Sequence, residues 1–225
     1  MFLIEVYLAK LGKLLQDMFG KRLLYLGLQG SYGRNEQTEN SDIDIMAVLD
    51  RITVEDLDAY KQALIAAGNY EKSCGFVCGR EELACWNPLE ICHLRHTTWD
   101  IYGDLSALLP AYTLEDERNF IKLSLGNLYH ELGHRYLHAD AAVNREQLVG
   151  SYKSVFYILQ NLVFLKKGEF SPTKSALLCH LSGRDKEVLQ TSLLLSEGRD
   201  FDFDSAFRLL FSWCQEKLTE RQADF

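Results

Sequence analysis

Hydrophobic positions recur with two different periods along this chain, and the pattern changes once. In the first half, helical and extended patterns interleave. Ile4, Tyr7, Leu8, Leu11, Leu14, Leu15 and Met18 are spaced three and four apart, which predicts an amphipathic helix over 2–18. "RLLYLGLQG" (22–30) reads as a buried strand ending in glycine, and "SDIDIMAVLD" (41–50) reads as a second strand. "VEDLDAYKQALIAAG" (54–68) predicts a helix, with acids in its first turn and Gly68 at its end. "YEKSCGFVC" (70–78) and "LEICHLRH" (89–96) read as further strands.

From about Leu105 only the helical period survives. Residues 113–142 predict a long helix with Thr113 as N-cap and acids just behind it. Residues 144–168 predict another, capped by Asn144 and ended by Gly168, with Tyr152, Val155, Phe156, Leu159, Leu162 and Val163 on one broad face. Ser171 as N-cap and Pro172 at the first helical position open a helix over 171–183. Two more helices follow, ending near 220. The pattern therefore predicts an α/β or α+β domain over 1–104 and an all-α helical domain over 105–225.

One strand breaks its own pattern. Residues two apart on a strand share a face, so Asp42 and Asp44 point the same way while Ile43 and Ile45 point into a core. A turn aspartate accounts for Asp42. It does not account for Asp44 between Ile43, Ile45 and Met46, because an unpaired buried carboxylate costs several kcal/mol, of order 2–7 even for a neutral polar group. Two carboxylates on one rigid face call for a cation, and carboxylates with substrate phosphates are the usual way to hold Mg²⁺. Ahead of them, Gly30 and Ser31 turn out of the preceding strand. A glycine there lets backbone N–H groups approach a phosphate, and the serine hydroxyl adds a donor.

Gly30-Ser31, ten residues, then Asp42-x-Asp44 resembles the signature of the nucleotidyltransferase superfamily related to DNA polymerase β. "GSYGRNEQTENSDIDI" is similar to the minimal members, which include aminoglycoside and lincosamide nucleotidyltransferases and antitoxin-type AMP-transferases paired with helical toxins. "WDIYGDL" (99–105) is similar to the segment that often closes this domain. The resemblance implies a mixed sheet with helices on one side, then a helical bundle supplying acceptor contacts. It implies Asp42 and Asp44 as ligands of one or two Mg²⁺ ions, and Gly30 and Ser31 as the cradle of the β- and γ-phosphates of ATP or another nucleoside triphosphate. Arg34 and Ser41 flank the motif and are placed to touch phosphate. The family often carries a third carboxylate on a later strand; Glu90 is the best position for it here, with Glu81, Glu82, Asp100 or no third carboxylate as alternatives. The implied reaction is attack of an acceptor hydroxyl on the α-phosphate with loss of pyrophosphate, most simply AMP transfer to a small aminoglycoside-like molecule. The second reading is an antitoxin-like regulator that AMP-modifies or binds a partner protein, and the third a nucleotide-binding relative without turnover.

Composition narrows the partners. The chain has 225 residues, 47% apolar and 25% charged, and a formal net charge of -8. That charge disfavours nucleic acid and anionic membranes, which need Lys and Arg to replace counterions, and suits a cationic small acceptor. No signal peptide and no uninterrupted membrane-spanning run is read, and six cysteines without a secretory signal point to free thiols in a reducing cytoplasm. Length and helical content permit a homodimer that shares the site, and no residue demands one.

Two other motifs compete. "HELGH" (130–134) matches the H-E-x-x-H pattern of zinc proteases, and His138 extends the stripe by a turn. A straight helix does not wrap three successive turns around one tetrahedral ion, so zinc catalysis is a weak reading. Glu131 remains a candidate general base by its place in the chain. Cys74, Cys78, Cys85 and Cys92 lack the paired C-x₂-C spacing of structural zinc sites, and Cys74, Phe76 and Cys78 read as one face of a strand.

Overall fold

The strand bearing Asp44 is the second from one edge of a four-stranded sheet. The strands are β1 (Leu23–Leu28), β2 (Ile43–Leu49), β3 (Ser73–Gly79) and β4 (Trp99–Tyr102), in the order β3-β2-β1-β4. β1 runs antiparallel to β2 and to β4, and β2 runs parallel to β3, so the sheet is mixed. Helices α1 (Ile4–Phe19), α2 (Gly30–Gly33), α3 (Val54–Ala67), α4 (Arg80–Ala84) and α5 (Pro88–Thr97) complete this part. The structure is a computed structural model and describes residues 2–220.

Alternation along β2 builds a core on each face. Ile43, Ile45, Ala47 and Leu49 join Leu26 and Leu28 under Tyr7, Leu8, Leu11 and Leu15 of α1 and Tyr60 and Ala63 of α3. Met46 and Val48 face the other way, with Tyr25, Cys78, Leu83 and Leu105. Thr53 caps α3 through a capping box with Asp56, and Arg22 holds Asp56 through two hydrogen bonds of 2.9 and 2.7 Å, tying the start of β1 to that cap.

The chain divides into a unit over Met1–Tyr112 and a unit over Thr113–Phe225. This border falls eight residues beyond the 104/105 limit read from the pattern. The reason is packing: Leu105, Leu108 and Leu109 cover the second face of the sheet. Residue 1 and residues 221–225 of the expected domains lie outside the described residues.

The second unit contains α6 (Leu114–His138), α7 (Ala141–Lys167), α8 (Lys174–His180), α9 (Gly183–Ser196) and α10 (Phe203–Thr219). Its core gathers Leu125, Leu128 and Leu132 of α6, Tyr152, Phe156 and Leu159 of α7, Leu189 of α9 and Trp213 of α10. α7 is long and apolar enough to cross a membrane by length and composition alone, and 61% of its apolar window is buried inside this core. Thr113 caps α6 in a capping box with Asp116.

Three local expectations are corrected. Residues 89–96 form α5 and not a strand: Asn87 accepts from the Leu89 N–H and Pro88 opens the helix, a start signal that outweighs the short apolar alternation. α6 ends at His138 and α7 is already helical at Ala141, so Asn144 is a buried residue within α7 and not its cap. α8 is capped by Thr173, whose hydroxyl accepts from the Ala176 N–H, whereas Ser171 lies before it and accepts through its carbonyl from buried Gln160.

Candidate active site

The turn after β1 and the head of β2 are locked against each other. The Gln29 N–H donates to the Asp44 carbonyl at 2.8 Å, continuing the strand pairing into the turn. Gly30 then takes a left-handed φ of 65°. A Cβ at Gly30 would collide with Asp44 Oδ2 and lie 2.7 Å from Asp44 Cγ, so the carboxyl occupies the space that any other residue's side chain would need. Ser31 follows in the single turn of α2, and its carbonyl accepts from the Glu36 N–H at 2.9 Å. Gly33 gives way in the same manner to the Trp99 ring, which would lie 2.5 Å from a Cβ there.

Asp42 is exposed and Asp44 half-buried, on the sheet face shared with Met46 and Val48. Burial raises the Asp44 pKa above the usual carboxylate value; the Cys74 thiol lowers it, Asp42 raises it, and the Arg34 guanidinium lowers it. Cys74 stands directly opposite Asp44 in the β2–β3 register. Burial is the largest of these effects, so a cation beside the pair would offset it.

The remaining expected residues divide. Arg34 is buried, its Nε donates to Glu36 Oε2 at 3.1 Å, and its charge acts on Asp44. The Ser41 hydroxyl accepts from the Thr38 N–H at 2.8 Å and shapes the loop that enters β2, while Lys72 Nζ fastens that loop to the head of β3 by donating to the Glu39 carbonyl at 2.6 Å. Glu90 is not brought to the pair. It sits exposed on α5, where its Oε2 accepts from Trp86 Nε1 at 2.6 Å. Among the described residues no group of three or more His, Cys, Asp or Glu is closed around one point.

Asp100, an alternative to Glu90 by sequence, lies on β4, two strands from β2. Gly27 pairs with Met46 on one side and with Asp100 on the other, so Asp100 shares the sheet face of Asp44. Its Oδ1 accepts from Tyr25 Oη at 2.7 Å, and burial together with this carboxylate holds the Tyr25 phenol far above the ordinary range. The signal was in the sequence: Asp100 sits between Trp99 and Ile101 much as Asp44 sits between two isoleucines. Cys74 and Gln29 carried no such signal, because only the register puts them beside Asp44. In the helical unit, Glu131 is engaged by Arg135, which also donates to Ser151 Oγ at 2.9 Å.

A glycine–serine turn thus packs against a two-carboxylate strand in a mixed sheet, the arrangement that the resemblance to polymerase β-like nucleotidyltransferases implied. Residues 8–73 match the nucleotidyltransferase domain family. The whole chain is similar in fold to spectinomycin adenyltransferase AAD(9) from Enterococcus faecialis, whose crystal structure holds ATP and spectinomycin. The TM-score is 0.63 at 15% identity, over 95% of this chain and 98% of that one. A toxin–antitoxin structure with AMP-PNP aligns over 58% of this chain and 93% of its own, with a TM-score of 0.34 and 23% identity. The MntA-HpeT toxin–antitoxin mutant covers the same shares with a TM-score of 0.33 and 21% identity. Among curated proteins none matches the chain in sequence.

Proposed function

We propose that this chain transfers AMP from ATP to a hydroxyl of a small cationic acceptor in the cytoplasm. The observation that carries the reading is the packing of the Asp44 carboxyl onto Gly30, which joins the phosphate-cradling turn and the carboxylate pair into one rigid unit. Similarity in fold to an adenyltransferase along nearly its full length supports the same reading and suggests an antibiotic-like acceptor. The net charge of -8 favours a cationic one.

The donor set fits Mg²⁺: two carboxylates on one face, one of them half-buried and disfavoured as an anion by burial and by Asp42. Asp42 and Asp44 would hold the ion, and triphosphate oxygens would complete its shell. An ion held there would neutralise charge developing on the transferred phosphoryl group. Gly30 and Ser31 orient the β- and γ-phosphates, and Arg34 adds positive charge beside them. Asp100, and not Glu90, is the third carboxylate in this reading, since it alone of the two shares the face of the pair.

The test is a titration of wild type and Asp44→Asn with each of the four nucleoside triphosphates, with and without Mg²⁺. The expected result is Mg²⁺-dependent ATP binding that the substitution removes. Equal binding by both proteins would displace the site, and no binding of any triphosphate would move the weight to a partner-binding role.

A further inference from the structure

The reaction above assigns no role to the histidine stripe of α6. His130, His134 and His138 are all exposed and follow one another at intervals of four along the helix, opposite its buried positions Leu125, Leu128 and Leu132. Residues four apart on a helix are neighbours, so each adjacent pair of imidazoles can converge on one point. The ring spacing separates the two pairs. His134 and His138 have centroids 4.9 Å apart, whereas His130 and His134 are 6.1 Å apart with rings inclined by 26°.

Coordination geometry supplies the yardstick. With Zn–N bonds of 2.0–2.1 Å and a tetrahedral angle, two imidazoles on one ion place their centroids about 5 Å apart. The His134–His138 pair already meets that distance. The His130–His134 pair would have to draw in by about 1 Å to reach it. Glu131, the carboxylate that the H-E-x-x-H pattern would use as a base, is engaged by Arg135 on its own helix. No group of three or more ligating side chains closes around a point among the described residues, so any ion here keeps an open coordination shell.

We propose that His134 and His138 form a two-histidine clip for a borderline divalent transition metal such as Zn²⁺ or Ni²⁺, separate from the carboxylate pair. Imidazole nitrogens select such ions over Mg²⁺, which takes oxygen ligands, so the two sites sort two different cations. The clip holds the ion through two protein ligands, and water or donors from a bound molecule fill the remaining positions. It is a binding site with no base at hand, and so not a protease centre.

The experiment is calorimetric titration of the full chain with Ni²⁺, in wild type and in His134→Gln, His138→Gln and His130→Gln. All three positions are exposed, and circular dichroism verifies that each variant is folded. The clip requires one saturable Ni²⁺ site, weakened at least tenfold in His134→Gln and in His138→Gln and within threefold of wild type in His130→Gln. No saturable binding, or binding that survives both substitutions and therefore belongs to thiols or carboxylates elsewhere, overturns the proposal. A loss in His130→Gln equal to the other two overturns the assignment to this pair.

Discussion

Gly30→Ala is the sharpest probe of how the turn and the carboxylate pair depend on each other. The substitution has two effects that the structure separates. The first is backbone strain: an L-residue at a φ of 65° costs about 1–2 kcal/mol. For a chain of this size that lowers Tm by roughly 2–8 °C. The second is steric. The new Cβ collides with Asp44 Oδ2 and stands 2.7 Å from Cγ, closer than real Cβ contacts come, so the carboxyl has to swing off the face it shares with Asp42. Losing one of two ligands weakens Mg²⁺-dependent nucleotide binding at least about 100-fold, or about 2.8 kcal/mol. Gly168→Ala is the control. Gly168 also has a positive φ, 72°, in the left-handed cap of α7, but a Cβ there meets nothing within 4 Å. Both variants should therefore lose Tm in differential scanning calorimetry, Gly30→Ala at least as much as Gly168→Ala because its clash adds to the strain, while only Gly30→Ala loses ATP binding in a Mg²⁺ titration. If Gly30→Ala binds Mg²⁺ and ATP as wild type does, Asp44 does not sit where the reasoning requires it.

Asp44→Asn should stabilise the metal-free protein at neutral pH while abolishing Mg²⁺-dependent transfer. The folded pKa of Asp44 is raised above 3.8, so its ionised form costs stability at any pH above the folded value, and nothing is lost below 3.8, where both states are protonated. The gain from the substitution should therefore shrink as pH falls through the folded pKa, and urea melts at pH 7 and pH 3.5 measure it; an equal gain at both values contradicts the burial argument. Asp100→Asn should lower the rate of AMP transfer at least tenfold and Glu90→Gln less than twofold, because only Asp100 shares the face of the pair. Steady-state rates of pyrophosphate release decide between them, and the reverse order would restore Glu90.

The local chemistry of this protein is written in short stretches. Alternation around Asp42 and Asp44 is a strand property that needs no distant partner, and the preceding strand, turn and loop lie within twenty residues of it. The helical second half is equally local, since its amphipathic spacing and the Thr113 capping box are set within a few turns. Residues 89–96 show where local pattern fails. Eight residues of mixed polarity fit either period, and the Asn87-Pro88 start decides for a helix. Once that segment is helical, Glu90 leaves the sheet. The third carboxylate depends on the sheet order, because Asp100 reaches the face of Asp44 only when β4 pairs with β1 across more than seventy residues of chain. The same holds for Cys74, which register alone puts opposite Asp44. Sequence by itself marked the candidates for chemistry, because periodicity is a property of neighbours along the chain. Tertiary structure decided which of those residues meet, because strand order, register and side-chain rotamers are settled by packing between segments that the chain keeps far apart.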